Sequence, residues 1–575
     1  MLHRKLSYFL FAAALFTLAS CSNSNDQGKL IPKDAALVVH VDGKSLSAKL
    51  PWDSIKQNPL VQQASGDTTL PPIVKQLLDN PENSGIDTKA DLLFFAQKDS
   101  LGGYIAFEGT VKDATKFIAF NKQLNANAKE IQKDGITLLN IDKVTVGWKS
   151  EKFVYVVDAP QLGQMDELSR RMMNNDIDVS STKTRNLEST VASIFALKGE
   201  TSLEEDKKFT TLMKESGDVH FWMNTEALNK GSVGSSALAM LNLDKLYKGN
   251  FTTATVNFEN GKVLMNAKTY AGEELTKLYK KYSGGKVNED MLKRIPGKDA
   301  VALFALNFKP EGIQELIKLT NLDGLLNIGL ATLGFSIEDF VKANKGDIVF
   351  GLTDFSIPAP DTLSDGTFGM AARQQPEFNM TFGAAIGDKE AFNKLINAGK
   401  KAGEKFITGE GVSTDSVPLP FGYSSNGTYF AMSNKKANAD AFTQSAGTAV
   451  NEALLKKLTG SSFSGYVNIH AIMKAFENEA KTDSVATAVY NASLATWEDV
   501  FMSGGEFTDG AITQKIEINL TEKNTNSLLQ LNRYATKLSA LYKANQDQMK
   551  KNQAEFDEAN AKLDNNVTVE PAPSK

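Results

Sequence analysis

Of 575 residues, 42% are hydrophobic and 23% charged, enough apolar material for a buried core and too much for a chain disordered throughout. The 63 Lys and Arg against 68 Asp and Glu leave a net charge of −5, which argues against a surface built to neutralise nucleic-acid phosphates. One cysteine excludes a disulfide framework, a CxxC redox pair and a multi-cysteine metal site, and four histidines leave little for zinc or histidine catalysis.

The chain opens with a basic pair, Arg4-Lys5, and an apolar run from Leu6 to Leu18. That run is too short for a membrane-spanning helix, which needs about 20 apolar residues, and reads as a secretion signal over 1–20. Leu18-Ala19-Ser20-Cys21 follows directly and is similar to a bacterial lipobox. The expectation is cleavage before Cys21 and acylation of its thiol and new amine, palmitate included, which anchors the protein without a spanning helix. Losing Arg4 and Lys5 takes the mature net charge to −7. A small, polar tether over 21–29 should be flexible. It has no acidic run after the cysteine, which favours the periplasmic side of the outer membrane over the cell surface.

Beyond the tether, the sequence echoes itself. Ile31-Pro32-Lys33-Asp34-Ala35 returns as Ile295-Pro296-Gly297-Lys298-Asp299-Ala300, and Ala90-Asp91-Leu92-Leu93-Phe94 as Gly346-Asp347-Ile348-Val349-Phe350. Val111-Lys112-Asp113 matches Ile386-Gly387-Asp388, with the Asp placed to cap a helix. Ser216-Gly217-Asp218-Val219 matches Ser464-Gly465-Tyr466-Val467, and hairpin turns at Asn260-Gly261 and Asp509-Gly510 both suit type I′ geometry. Five echoes in one order predict two tandem homologous domains, 30–285 and 290–522, joined near Ser283-Gly284-Gly285-Lys286.

Within the first domain, strands are expected at 91–97, 101–109, 136–140, 143–148 and 153–157, with a helix over 113–126. Adjacent strands joined by short turns imply antiparallel pairing, hence an α+β fold with a largely antiparallel sheet and packed helices. Further helices are expected at 161–175, 388–402 and 484–501. Leu325 to Ile337, the most apolar later stretch, suits a buried helix or packed loop. From Leu531, apolar and small residues recur at alternating spacings of four and three, with no Pro or Gly from 523 to 564. One long C-terminal helix is the expectation, packed on its own domain or offered to a protein partner. The tail, 565–575, carries Pro571 and Pro573 and should be disordered.

No motif with a catalytic mechanism survives inspection. Gly284-Gly285-Lys286 lacks the phosphate-loop spacing, Gly409-Glu410-Gly411 lacks the third glycine of a dinucleotide fingerprint, and Gly460 to Gly465 misses the GxSxG register. His40, His220 and His470 fall in separate strand-like runs and read as half-buried strand histidines. The basic runs Lys277–Tyr282 and Lys400–Lys405 read as solvated helix faces. No cofactor or metal site is expected.

Asp followed by Ser or Thr and then a small or aliphatic residue occurs six times, where composition gives about two. The pattern resembles the O-glycosylation sequon of Bacteroidetes, with Ser54, Thr68, Ser100, Thr362, Ser416 and Ser484 as acceptors on loops. Turn and cap chemistry explains the same residues equally well.

The lipobox, the start Ile31-Pro32-Lys33-Asp34-Ala35-Ala36-Leu37-Val38-Val39-His40 and the following Pro51-Trp52-Asp53 resemble an uncharacterised family of Bacteroidetes lipoproteins, a domain of unknown function. The resemblance implies location and architecture and brings no catalytic residues. Three functions are open: a non-enzymatic, lipid-anchored binding or scaffold protein, with the cleft between domains as its site; an envelope glycan or peptide hydrolase using Asp/Glu pairs; and a lipid or chaperone-type carrier.

Overall fold

The computed structural model describes residues 27–125, 128–160, 162, 185–229, 241–358, 375–408, 421–481 and 484–565. The signal peptide, Cys21 and the expected helix over 161–175 lie outside these residues, as does the tail after Asn565, apart from Leu162 in that helix. The first half carries β1 (Leu37–Val41), β2 (Leu92–Asp99), β3 (Gly102–Thr110), β4 (Glu130–Lys133), β5 (Ile136–Ile141), β6 (Val144–Lys149), β7 (Lys152–Asp158), β8 (Val219–Asn224), β9 (Phe251–Glu259) and β10 (Lys262–Tyr270). The second carries β11 (Ala300–Asn307), β12 (Asn344–Ser356), β13 (Glu377–Ile386), β14 (Gly422–Ser425), β15 (Tyr429–Ser433), β16 (Phe463–Val467), β17 (Trp497–Thr508) and β18 (Ala511–Leu520).

All of these strands pair antiparallel in one ladder. From one edge the first half runs β4-β5-β6-β7-β3-β2-β1-β8-β9-β10. The second half then continues β18-β17-β16-β11-β12-β13-β15-β14. Counted outward from the β10–β18 contact, the two series have the same connectivity, apart from the extra β4-β5 pair beyond β6 in the first half. That contact is nine residue pairs long, from Lys262 opposite Asn519 to Tyr270 opposite Ala511.

Alternation explains the layering, because successive strand residues face opposite sides of the sheet. One face of the first half packs under the helices Pro72–Asp79 and Ala114–Leu124, which bury Leu77, Leu78 and Phe117 against Leu92, Phe107 and Phe153. The other face takes Val38, Leu93 and Val154 under the helices Leu187–Phe195 and Lys207–Leu212, which contribute Val191, Ile194 and Phe209. In the second half Phe442 packs directly over Gly383, where a Cβ would stand 2.3 Å from its ring.

The strands expected between 91 and 157 are present within two residues of the expected ends, and the helix over 113–126 is Ala114–Leu124. Asp113 caps it by accepting from Lys116 N at 3.0 Å, and Asp388 accepts from Ala391 N at 2.9 Å in the matching place. Three expectations need correction. The helix read over 484–501 stops at Leu494, and Trp497 begins β17, because Trp497, Val500 and Phe501 pair with Leu520, Ile518 and Glu517. The apolar stretch from Leu325 is the helix Asp323–Ala331, and it is exposed: Leu325 and Ile328 are 64% and 73% accessible. The hairpin at Asp509-Gly510 has positive φ at both residues, as type I′ requires, whereas at Asn260-Gly261 only Gly261 does. Asn260 is instead drawn into a bridge with Asn526.

The C-terminal helix spans Ser527–Asn565. Its first turns lie across both halves: Leu528 packs on the first-half core, Asn532 Nδ2 donates to Ser54 O at 3.3 Å, and Tyr534 hydroxyl bonds Ser493 at 2.9 Å. From Asp547 to Glu558 every residue is exposed. Among the described residues, no helix is long and apolar enough to cross a membrane.

Candidate functional site

β1 lies between β2 and β8, and its register sets His40 directly opposite His220. Both are buried, each 3% exposed, and their Nδ1 atoms stand 3.0 Å apart. His220 Nε2 lies 2.9 Å from the carbonyl of Glu215 and must donate to it, since a carbonyl only accepts. A neutral His220 therefore presents a bare Nδ1, and His40 Nδ1–H donates to it. The remaining nitrogen, His40 Nε2, stands 3.3 Å from Asp91 Oδ1. These contacts fit a neutral His220 that accepts from His40 Nδ1–H, with His40 Nε2 facing the Asp91 carboxylate. Burial lowers the His220 pKa, against the pull of the Glu215 carbonyl, which keeps that ring neutral. For Asp91, burial works to raise the pKa. The hydrogen bond and charge of His40, with the bond from Gln27 Nε2 at 2.6 Å, outweigh it and hold the carboxyl below its usual range.

The floor next to this pair is pinned by Asp218, which is 1% exposed. Its carboxylate takes Lys49 Nζ at 2.6 Å, Ser45 Oγ at 2.5 Å and Phe258 N at 2.6 Å. Asp42 caps the helix Gly43–Lys49 by accepting from Ser45 N, so Lys49 is delivered to Asp218 from the last turn of a fixed helix. Above lies a recess of about 510 Å³, walled by Lys44, Met213 and Asn257 as well as by the two histidines. The His40–His220 separation is that of a hydrogen bond, and among the described residues no group of three His, Cys, Asp or Glu is placed to hold a metal ion.

Leu93 pairs with His40 on one side and Glu108 on the other, so the polar row continues across β3 on the same face. Glu108 is 5% exposed, and burial pushes its carboxyl up to about 7, against the charge of Lys152. The second half does not repeat this row. Ala305 and Ser464 form the corresponding pair between β11 and β16, Gly383 stands opposite Val349 where Glu108 would be, and only Asp347 keeps the acidic position.

Sequence reasoning missed the His40–His220 pair, whose members lie 180 positions apart and meet only through the β1–β8 ladder. It also misplaced His470, which is the second residue of the helix Ile469–Ala475 and not part of a strand. By sheet position Asn224 corresponds to Asn468; each caps the helix that follows, so the fourth echo is shifted by four residues. The halves, expected to face each other across a cleft, join edge to edge through a continuous ladder, and the buried polar row lies within the first half.

Cys21, Thr362 and Ser416 lie outside the described residues. Thr68 and Ser100 are exposed, and the Asp before each closes a turn: Asp67 accepts from Thr69 N and Asp99 from Leu101 N. Asp99 also takes both Nη atoms of the buried Arg185 at 2.8 Å. Ser54 is half-buried within the helix Trp52–Lys56 and Ser484 begins the helix Ser484–Leu494, so neither is on a loop. Among the described residues, Ser54, Thr68, Ser100 and Ser484 lie on separate elements and share no site.

The fold and site define a mixed α/β protein with one large antiparallel sheet and a buried polar row in its first half. Residues 28–365 match the family described as Domain of unknown function (DUF4836), and the chain belongs to that family. No curated protein matches. Among solved structures, crystal form I of TP0453 shares 10% identity over 43% of this chain and 78% of that one, with a TM-score of 0.24. Crystal form III shares 9% over 48% and 88%, also at 0.24.

Proposed function

We propose that this is a lipid-anchored cell-envelope protein of the Bacteroidetes lipoprotein type, held by acyl chains on Cys21 and facing the periplasm from the outer membrane. It is a non-enzymatic binding and scaffold protein, built from two homologous halves that arose by duplication. The first half takes a small polar ligand over the His40–Asp91–Glu108 row. The second half and the C-terminal helix form the scaffold.

One observation carries the binding reading: the first half has the buried, titratable side chains of His40, His220 and Glu108 at sheet positions where the second half has Ala305, Ser464 and Gly383. Burying such groups opposes folding unless they are paired, so a half relieved of ligand duty replaces them by packing. The shared strand order and the matching Asp113 and Asp388 caps support duplication.

Mass, fractionation and ligand screening test this. Intact mass of the exported protein should show acyl chains, and Cys21→Ser should move the protein from the membrane to the soluble fraction. Thermal-shift screening of the detergent-purified protein against envelope glycans and peptides should give hits that His40→Asn weakens at least tenfold. Hits indifferent to His40→Asn would overturn the site assignment. Chemical deglycosylation that leaves the mass unchanged would remove the six sequon positions.

A further inference from the structure

Gln27 and Asp91 belong to the histidine recess and also to a second one, of about 350 Å³, at the other end of the polar row. That volume is at the small end of ligand sites, which run from about 300 to 1,000 Å³. Lys29, Lys149 and Lys152 stand around it. Lys149 Nζ and Lys152 Nζ donate at 3.3 Å to neutral oxygens, the Asp134 carbonyl and the Thr110 hydroxyl, and Lys152 also acts on Asp91 and Glu108 through its charge. Asp91 is the one charged acid in the lining, and its carboxylate is already engaged by His40 and Gln27.

In the wall sits Glu108, 5% exposed, with Oε2 buried and without a hydrogen-bond partner. An unpaired buried oxygen of this kind opposes folding, a cost that a ligand hydroxyl would relieve. Leu30, Leu93 and Phe195 complete the lining with apolar surface. The recess thus offers cations for an anionic group, a carboxyl group for hydroxyls and a ring for the C–H face of a pyranose.

We propose that this recess binds a hexuronic acid unit of an envelope glycan, its carboxylate toward Lys149 and Lys152 and its hydroxyls toward Glu108. The assignment rests on the binding reading above and names its ligand. The anion approaches a rim carrying Lys29, Lys149 and Lys152 beside Asp91 and Glu108; ionising Glu108 adds a negative charge next to the bound carboxylate, so affinity should fall as Glu108 loses its proton.

Titration calorimetry of the full mature chain in detergent, with glucuronate, glucose and inorganic phosphate as probes, tests the proposal. Saturable glucuronate binding is expected, at least tenfold tighter than glucose or phosphate. Lys149→Ala with Lys152→Ala should lose at least tenfold, and Glu108→Gln, which keeps the shape of the side chain but cannot ionise, should abolish the pH dependence of the affinity. Phosphate binding as tight as glucuronate would overturn the sugar assignment, as would glucuronate binding unaffected by the lysine changes. Absence of glucuronate binding alongside peptide hits that need His40 would overturn this proposal and leave the binding reading intact.

Discussion

A buried carboxyl held in its neutral form makes folding depend on pH in a fixed direction. Glu108 is raised from 4.5 to about 7 by burial, so the unfolded chain gives up this proton first as pH rises. The stability it contributes is intact below about 4.5, falls through the interval up to about 7 and stays low above it. A shift of that size corresponds to ~3 kcal/mol. Glu108→Gln should therefore gain on the wild type by up to ~3 kcal/mol between about pH 5 and about pH 8, read from urea unfolding. A constant difference across that range would refute the assignment. At Asp91 the effect is opposite: Asp91→Asn removes the anion beside His40 and should cost ~1.5–3 kcal/mol, the worth of a charged hydrogen bond. Neither residue was legible as part of a site. Asp91 was read only as one letter of an echo, and Glu108 as a strand residue, because what matters about both is the register of β1, β2 and β3.

Elements were more legible than contacts. Strands such as Ile136–Ile141 and Lys152–Asp158 carry dense β-branched and aromatic residues between turn signals, which is local information. Ends were less secure where two tendencies overlap, as at Leu494, where helix-forming alanines run into the aromatic start of β17. The C-terminal helix was read in full, yet its spacing could not say where packing ends. Tyr542, Met549 and Phe556, seven apart, are 56%, 64% and 61% exposed, while Ser527 and Gln530 are buried. Ending the chain at Lys543 should thus leave the calorimetric Tm within about 2 °C, since exposed positions contribute little to stability. Ending it before Ser527 uncovers Leu528 and the Tyr534 contacts and should lower Tm by more than about 5 °C. If the helix serves a protein partner, the shorter truncation should lose that partner in crosslinking from intact membranes while the body stays folded.

At the scale of the whole chain, the β10–β18 ladder makes the two halves one hydrogen-bonded sheet, reinforced by Lys262 reaching Glu517 at 3.4 Å and by the root of the C-terminal helix. Unfolding should therefore give a single calorimetric transition. Two resolved transitions would show that the ladder does not couple the halves. The echoes in sequence pointed to two units but could not reveal how they join, because an edge-to-edge contact needs no special residue type. The expectation of a cleft came from treating the units as separate bodies.

That ladder has a further consequence. Asn266 and Lys515, the fifth residues of their strands, face each other at its centre, so each terminal hairpin meets its counterpart about a local twofold. A chain ending after the first half would expose β10 as a nine-residue open edge, the kind of surface that recruits another strand. Its best available partner is β10 of a second copy, and the product would be an isologous dimer with the outline of the present molecule. Under the duplication proposed above, fusing two copies would fix that pairing at any protein concentration and leave one copy free to change, the condition under which Ala305, Ser464 and Gly383 replace the polar row without cost to the other half.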